Sequence, residues 1–270
     1  GLLAQGRPLV MGVLNVTPDS FFDGGQYQTI DTALQRVSEM IEQGADLIDV
    51  GGESTRPGAT APTEAEEAAR VLPILDAIQA RFDIPISVDT STPSVMADAV
   101  SLKVALINDV RAFSRPGALQ AVGCDALLAV MHMKGTPATM QDAPAYQDLV
   151  AEVDGFFLDR IAVLQDAGIE RSRVMLDPGF GFGKTLYQNF ELIQSLEVFQ
   201  HHGCPILIGL SRKRSIGAIA NDVLAGSVAG ALAGVARGAN MVRVHDVEAT
   251  VSAFRVWQAI NFGKETTQDA

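Results

Sequence analysis

The sequence predicts a single (β/α)8 barrel that spans residues 1–270 as one domain. Eight short apolar runs alternate with about as many helix-like segments, which is the order of elements in this barrel. Inside each run the apolar residues follow one another without alternation, as in strands that are covered on both faces. A length of 270 residues fits one such barrel, and no linker or shift in composition divides the chain.

Each predicted strand ends in a polar or glycine-rich turn. The strands are predicted at Leu9–Val16, Leu47–Glu53, Pro85–Thr90, Ala105–Val110, Leu127–Met133, Val174–Gly181, Pro205–Ser211 and Met241–Asp246. The helices are predicted at Asp31–Gln43, Thr63–Arg81, Pro93–Leu102, Pro116–Val122, Asp148–Ala167, Phe190–His201, Val223–Arg237 and Glu248–Ile260. Thr63 and Glu66 form the Thr-x-x-Glu pattern of a capping box. A doubly wound sheet is the alternative, but it usually has fewer strands, and no GxGxxG motif follows the first strand.

Composition narrows the class of protein. The chain has 20 Lys and Arg against 32 Asp and Glu, a formal net charge of −12, and 47% of its residues are hydrophobic. This apolar content excludes a disordered chain, and the acidic balance argues against a dedicated nucleic-acid-binding protein. A small anionic substrate is not excluded, because it responds to local charge. The two cysteines lack metal-type spacing, and there is no membrane-length apolar run and no signal-peptide pattern, so we expect a soluble, cytoplasmic protein with no membrane partner.

Polar residues cluster where the predicted strands end, which in this barrel is the active-site face. Asp89, Asn108 and Asp177 end strands three, four and six. They suit a flat, neutral ring that presents N–H donors, because carboxylates accept paired N–H groups. Strands seven and eight carry a cationic group, beside Asn15 once the barrel closes: Arg212, Lys213, Arg243 and His245. These residues predict an anion site, so one molecule with both a donor-rich ring and a phosphate would fit.

Two loops at the same face are rich in Gly, Pro, Ser and Thr, and we expect them to close over a substrate: Asn15–Gly25 and Gly51–Thr63. A third glycine-rich segment, Asp177–Lys184, lacks the spacing of a P-loop. Its glycines predict close approach of the backbone to a flat ligand. The pair His201–His202 is expected to cap a helix.

A series of motifs runs along the chain in the order NVTPDSFFDGG, DVGGESTRPGA, SVDTS, IND, MHMKGTP, LDPGFGFGK, GLSRK and RVHD. In these motifs the sequence resembles the bacterial dihydropteroate synthases of the folate pathway, from about Gly6 to Ile260. The resemblance implies a transferase that joins 6-hydroxymethyl-7,8-dihydropterin pyrophosphate to p-aminobenzoate, giving 7,8-dihydropteroate and pyrophosphate, with Mg2+ as cofactor. It also implies competitive inhibition by sulfonamides and a homodimer built from the late helices.

The resemblance assigns roles to individual residues. The pterin is expected to contact Asp89, Asn108, Met131, Asp177 and Lys213, and p-aminobenzoate is expected to contact Thr55, Arg56, Pro57, Phe182 and Ser211. Pyrophosphate is expected at Asn15, Arg243 and His245, with Asn15 also near Mg2+. The expected catalytic residues are Asp89, Asp177, Lys213 and Arg243.

Two other functions stay open on the sequence alone. A pterin-binding methyltransferase domain of the corrinoid-dependent type shares the barrel and the carboxylate–amide pocket, but it does not need the pyrophosphate corner or the STRPGA loop. A non-catalytic pterin-binding relative should have lost the loop residues or Lys213, and this chain keeps both.

Overall fold

The computed structural model describes residues 6–16, 26–53, 61–135 and 145–263. The strands in this part are β1 (Leu9–Asn15), β2 (Leu47–Gly51), β3 (Ile86–Asp89), β4 (Leu106–Asp109), β5 (Leu127–Met131), β6 (Val174–Asp177), β7 (Leu207–Ile208) and β8 (Met241–Val244). The helices are α1 (Gln26–Glu42), α2 (Glu64–Arg81), α3 (Pro93–Ser101), α4 (Ala118–Ala121), α5 (Leu149–Asp166), α6 (Leu186–Gln194), α7 (Arg214–Gly217), α8 (Val223–Val235) and α9 (Val247–Phe262). Among these helices, none combines the length and apolar character needed to cross a membrane.

The strands form one parallel sheet in the order β6-β5-β4-β3-β2-β1-β8-β7. The two ends of that order meet where Leu176 of β6 bridges to Ile206, the residue before β7. There the backbone N–H of Leu176 donates to the carbonyl of Pro205 at 2.8 Å. The sheet therefore closes on itself, which confirms the predicted (β/α)8 barrel.

The interior of the barrel is filled at one level by buried apolar side chains. We call this set the plug; it consists of Leu9, Met11, Leu47, Leu106, Ala129, Met175, Leu207 and Met241. Side chains on a strand alternate between its two faces, so the next inward position lies two residues beyond each plug residue. On β2, β4, β5, β6 and β8 that position is held by Asp49, Asn108, Met131, Asp177 and Arg243. The plug is therefore the floor beneath the predicted site.

Outward-facing strand residues and the helices form a second, larger core. Helix α2 contributes one buried face to it and begins at the predicted capping box. The N–H of Glu66 donates to Thr63 Oγ1 at 3.3 Å, and the N–H of Thr63 donates to the Glu66 carboxylate at 2.8 Å. The two bonds satisfy backbone donors that a helix start leaves unpaired.

The region around β7 departs from the prediction in two ways. The strand is only Leu207–Ile208, because the side chain of Asn240 takes up the N–H of Ile206 at 2.8 Å and a turn begins at Leu210. The helix predicted at Phe190–His201 starts earlier, as α6, and a 3-10 helix covers Leu196–His202. The missed signal is a second capping box, Thr185 and Gln188, directly after the glycine-rich segment.

The small residues of α8 pack against the protein's own barrel. A Cβ atom on Gly234 would lie 2.1 Å from Ile208 Cδ1, and one on Gly230 would lie 2.8 Å from Leu210 Cδ1. Close approach of α8 to β7 and its turn thus explains these glycines without a partner chain.

This packing predicts opposite effects for two helix substitutions to alanine. Gly234→Ala should lower the free energy of unfolding by about 1–3 kcal/mol, because the methyl group overpacks the buried Ile208. Gly155→Ala, on α5 with nothing within 4 Å, should raise it by about 0.5–1 kcal/mol. Urea denaturation of both variants measures the difference; equal changes would contradict the packing of α8 described above.

Candidate active site

The inward-facing polar side chains meet at the carboxyl end of the barrel, directly above the plug. Asp49 is fully buried, and Asn108 and Asp177 are at most 8% exposed. Asp89 ends β3, and Arg243 reaches across from β8. The structure thus brings the predicted carboxylates, amide and arginine into one site, because parallel strands in a closed barrel end at the same rim.

Arg243 lies between two carboxylates. Its Nε donates to Asp49 Oδ2 at 2.6 Å, and its Nη2 donates to Asp89 Oδ2 at 3.0 Å. Asn108 Nδ2 makes a longer contact, 3.5 Å, to the same Asp49 oxygen. Asp49 lies within the predicted strand Leu47–Glu53 and received no role from the sequence; the structure places it at the centre of the site.

The environment shifts the ionisation of both predicted pterin carboxylates. Burial raises the pKa of Asp89 to about 7, with the like charges of Asp49, Glu53 and Asp109 adding to it and Arg243 opposing it. Burial also raises the pKa of Asp177, and Lys213 opposes that change. Asp89 therefore loses its proton near neutral pH, and the neutral acid becomes a carboxylate that can only accept hydrogen bonds.

Lys213 faces the carboxylates from the turn after β7. Burial lowers the pKa of its ammonium group to about 8, and the nearby Asp177 opposes the change. Its Nζ donates to the carbonyl of Phe180 and lies 4.5 Å from the centre of the Phe182 ring. A cation at this distance over an aromatic face is attracted to it, so Phe182 helps to fix the position of Lys213.

An apolar wall stands beside the polar groups. It consists of Val110, Met131 and Phe182, all buried, with Met133 packed against them. The resemblance assigns Met131 to the pterin and Phe182 to p-aminobenzoate, and the structure brings the two side chains into one cluster. A flat ring between this wall and the carboxylates would have an apolar face and a polar edge satisfied together.

His245 follows β8 and differs from the cation that the sequence suggested. Burial lowers its pKa to about 4, helped by Arg243 and Arg212, so the ring is neutral at pH 7. Ser211 Oγ accepts from the backbone N–H of His245 at 3.1 Å and lies 3.0 Å from its Nδ1. If the hydroxyl donates to Nδ1, the proton sits on Nε2, which is then the donor available to an anion.

Arg212 forms an ion pair with Asp246, and its place in the anion site stays a prediction. Its guanidinium donates to both carboxylate oxygens of Asp246, at 2.9 and 2.5 Å, and its side chain is 56% exposed. Its φ of 56° is unusual for a residue with a side chain, and the hydroxyl of Ser227 accepts its backbone N–H at 2.9 Å. Arg212 thus shapes the turn that leads into Lys213.

The glycines of Asp177–Lys184 serve the protein's own packing, and the close approach of this backbone to a flat ligand stays a prediction. Gly179 has a φ of 72°, and a Cβ there would lie 1.8 Å from the carbonyl oxygen of His132. The buried Lys184 holds the segment by donating to the carbonyls of Gly179 and Phe182, each at 2.9 Å. Burial lowers the pKa of Lys184 to about 7.

A second buried network supports the rear of the site. Arg111, after β4, donates to both carboxylate oxygens of Glu53 at 3.0 and 2.9 Å and to Ser91 Oγ at 2.9 Å. Asp109 accepts the backbone N–H groups of Arg111 and Phe113 at 2.9 and 2.7 Å. These bonds join the ends of β2 and β4 behind Asp89.

Some predicted residues lie outside the described part of the chain, namely Thr55, Arg56, Pro57 and most of the loops 15–25 and 51–63. Asn15 ends β1 with an exposed side chain. The pair His201–His202 lies in the last turn of the 3-10 helix Leu196–His202, which ends at Gly203 as predicted. Both Nε2 atoms contact Asp154 Oδ1, at 2.7 and 2.9 Å, away from the mouth.

The two bidentate arginines should differ strongly in their effect on stability. Arg111→Met leaves the largely buried Glu53 carboxylate without its partner, so the free energy of unfolding should fall by about 1.5–3 kcal/mol. Arg212→Met breaks the exposed pair with Asp246 and should cost about 1 kcal/mol or less. Chemical denaturation of both variants measures this; a small loss for Arg111→Met would show that the rear network carries little of the stability.

Comparison with known proteins agrees with this geometry. Residues 11–245 match the model of the family described as pterin binding enzyme. The chain is 47% identical, over 98% of both sequences, to the dihydropteroate synthase of Escherichia coli K12. Its structure matches that of the Xanthomonas albilineans dihydropteroate synthase with 4-aminobenzoic acid, with a TM-score of 0.89 and 48% identity over 96% of this chain and 94% of that one. A Yersinia pestis dihydropteroate synthase with a sulfonamide drug complex matches with a TM-score of 0.89 and 44% identity over 95% of each chain. The chain therefore belongs to the pterin binding enzymes, within the dihydropteroate synthase family of transferases.

Proposed function

We propose that the mouth of the barrel condenses 6-hydroxymethyl-7,8-dihydropterin pyrophosphate with p-aminobenzoate, with the residues of the polar ring in the roles given below. The observation that carries these roles is the arrangement of buried carboxylates, an amide and two cations around one apolar wall. The relatives support this reaction rather than the corrinoid-dependent methyltransferase.

The pterin half of the substrate fits the carboxylate side. The amino-pyrimidine edge of a pterin presents N–H donors, which Asp89 and Asp177 accept, while Asn108 offers both an acceptor and a donor. The ring lies against Met131 and Phe182. Lys213 faces the same ring and donates to an acceptor on it.

The pyrophosphate half fits Arg243 and His245. Arg243 keeps N–H groups beyond those used by Asp49 and Asp89, and a guanidinium can bind phosphate oxygens in pairs. The neutral His245 donates through Nε2. Asn15 offers an exposed amide oxygen at the rim, which suits Mg2+, since that ion takes one or two protein oxygens together with phosphates and water. Bound with the substrate, Mg2+ would neutralise charge on the leaving group.

The chemistry needs no nucleophilic side chain. Pyrophosphate leaves from the methylene carbon of the pterin, and positive charge develops there and spreads into the ring. The amino group of p-aminobenzoate then attacks this carbon, and its nitrogen releases one proton to give the neutral secondary amine. Asp89 and Asp177 stabilise the developing positive charge, while Arg243 stabilises the departing anion. The protein thus acts by positioning and electrostatics.

The p-aminobenzoate side is assigned to Thr55, Arg56, Pro57, Phe182 and Ser211. Support comes from the Xanthomonas albilineans relative, whose structure holds 4-aminobenzoic acid, and from the Yersinia pestis relative in a sulfonamide drug complex. Sulfonamides would therefore compete with p-aminobenzoate.

Both cysteines are free thiols, one exposed and one buried, which supports a reducing, cytoplasmic location.

A coupled assay of pyrophosphate release tests the function. Wild-type protein should release pyrophosphate from the pterin substrate only when p-aminobenzoate is present, and Arg243→Met should lose most of this activity. Arg237→Met, whose guanidinium donates only to the carbonyl of Ala233 among its described contacts, is the matched control and should remain active. Release that ignores p-aminobenzoate, or none with both substrates present, would contradict the proposal.

Asp177→Asn should weaken binding of a pterin analogue by about tenfold to a hundredfold. The substitution keeps the shape but replaces an acceptor with a donor, and a charge-assisted hydrogen bond contributes about 1.5–3 kcal/mol. Isothermal calorimetry measures the affinity, with Asp148→Asn at the start of α5 as the remote control. Unchanged affinity in Asp177→Asn would remove this residue from the pterin site.

Affinity for a pterin analogue should rise with pH through about 7 and stop rising near pH 8, where Lys213 begins to lose the proton that makes it a charged donor to the ring. The pKa of Asp89 is raised to about 7, so below that pH the carboxyl is protonated and loses its role as acceptor. In Asp89→Asn the rise should disappear, together with most of the affinity. A calorimetric pH series checks this, and a rise of the same midpoint in Asp89→Asn would assign the titration to another group.

The homodimer predicted from the late helices should form through their exposed apolar residues. On α9, Val256, Ile260 and Phe262 are 61%, 77% and 59% exposed. Light scattering of the wild type should give twice the chain mass, and Ile260→Glu should give a monomer. Leu158→Glu on α5, where Leu158 is 58% exposed, is the control and should leave the dimer intact. A monomeric wild type at micromolar concentration would contradict the dimer.

A further inference from the structure

We propose that Asp49 is a positioning residue of this reaction, which holds Arg243 and Asn108 in place while Asp89 exchanges Arg243 for the pterin ring. The inference rests on the proposed function, since it assumes the pterin at Asp89 and the pyrophosphate at Arg243. It concerns a side chain that would touch neither substrate directly.

Asp49 occupies a central place in the sheet. Its strand, β2, lies two strands from β4, which carries Asn108, and two strands from β8, which carries Arg243. One carboxylate oxygen, Oδ2, accepts from Arg243 Nε at 2.6 Å and lies 3.5 Å from Asn108 Nδ2. Because Asp49 sits directly above the plug and is 0% exposed, it has little room to move.

The chemistry of a carboxylate determines what its neighbours present to the substrate. An ionised Asp49 can only accept hydrogen bonds, so Asn108 must turn its amide nitrogen toward it, which leaves the amide oxygen for the pterin. In the same way Arg243 must direct Nε to Asp49, which leaves the Nη groups for Asp89 or for phosphate. Asp49 thus orients one residue of each half-site.

Asp49 also has a carboxylate oxygen that accepts no hydrogen bond from the described residues. Within the described residues, its Oδ1 has no hydrogen-bond partner, and neither does Oγ of Ser87, the residue opposite it in the register of β2 and β3. A buried acceptor without a partner is costly. Oδ1 is therefore an acceptor that Arg243 can take up when its Nη2 leaves Asp89.

The exchange follows from these contacts. In the free protein, Arg243 Nη2 neutralises Asp89 at 3.0 Å. When the substrate binds, the bond between Arg243 Nη2 and Asp89 breaks. Asp89 then accepts from the N–H edge of the pterin, and Arg243 donates to the phosphate. The bond from Nε to Asp49 remains, so Arg243 turns about a fixed point and is not released into solvent.

Replacing Asp49 with Asn tests the role. The variant should lose about tenfold to a hundredfold in kcat/KM for the pterin substrate, the effect of one charge-assisted hydrogen bond. It should also move the pH midpoint of pterin-analogue binding below that of the wild type. The charges facing Asp89 are Arg243, Lys213, Asp49, Glu53 and Asp109, and neutralising Asp49 removes one like charge while the two cations remain. Asp49→Glu, which keeps the charge, should keep the midpoint.

The matched control is Glu67→Gln, a buried carboxylate on α2 whose two oxygens accept from Thr90 and Thr92 at 2.5 Å each. It should lower stability and leave the midpoint unchanged. A role of Asp49 in stability alone would make the Asn variant behave like this control, with lower stability and an unmoved midpoint, and would overturn the proposal. If the wild type shows no pterin-dependent activity, the proposed function fails first.

A measurement on the wild type covers the case in which Asp49→Asn does not fold. The 1H–15N signal of Arg243 Nε, assigned from Arg243→Lys, should keep its hydrogen-bonded shift when a pterin analogue and pyrophosphate are added. Loss of that shift when the two ligands are added would show that the hydrogen bond from Arg243 Nε to Asp49 breaks, and would overturn the proposal.

Discussion

The site depends on Arg243 lying between the carboxylates of Asp49 and Asp89. Two carboxylates buried side by side above an apolar plug would repel each other and lose their hydration. The guanidinium of Arg243 donates a hydrogen bond to each carboxylate, which offsets both the repulsion and the lost hydration. In our proposal the same guanidinium binds the pyrophosphate, so in the free protein the proposed phosphate-binding group is the counterion of the proposed pterin-binding carboxylates.

The barrel makes this pairing available, and buried charged residues keep its rim in shape. The period of two along each strand puts apolar side chains in the plug and polar ones directly above it. The segment after β6 is held by Lys184, and the end of β2 is joined to the loop after β4 by Arg111 and Glu53. Neither Lys184 nor Arg111 faces the substrate in our assignment; both fix backbone that carries residues which do.

Much of the fold and of the site could be predicted from the sequence. Continuous apolar runs predict strands covered on both faces, and polar residues at the ends of those runs predict which side chains share the mouth. Asp89, Asn108, Asp177 and Arg243 were found in this way. The first capping box, at Thr63, also predicted its helix correctly.

The rest depends on contacts between residues far apart in the chain. The pairing of Arg212 with Asp246 and the neutrality of His245 follow from which charges are neighbours, and no local pattern contains that information. Asp49 received no role from the sequence, because its contacts with Arg243 and Asn108 join residues that are 194 and 59 positions away. The early end of β7 follows from the side chain of Asn240, 34 residues from its partner Ile206.

The most direct test is a crystal structure with a pterin analogue and pyrophosphate bound together. We expect ring N–H groups on Asp89 and Asp177 and a phosphate oxygen on Arg243. Arg243 Nη2 should lie beyond hydrogen-bonding reach of Asp89, where the free protein has a distance of 3.0 Å. The bond from Arg243 Nε to Asp49 should persist. A loaded structure in which Arg243 still bridges both carboxylates, with the ring bound elsewhere, would contradict the account.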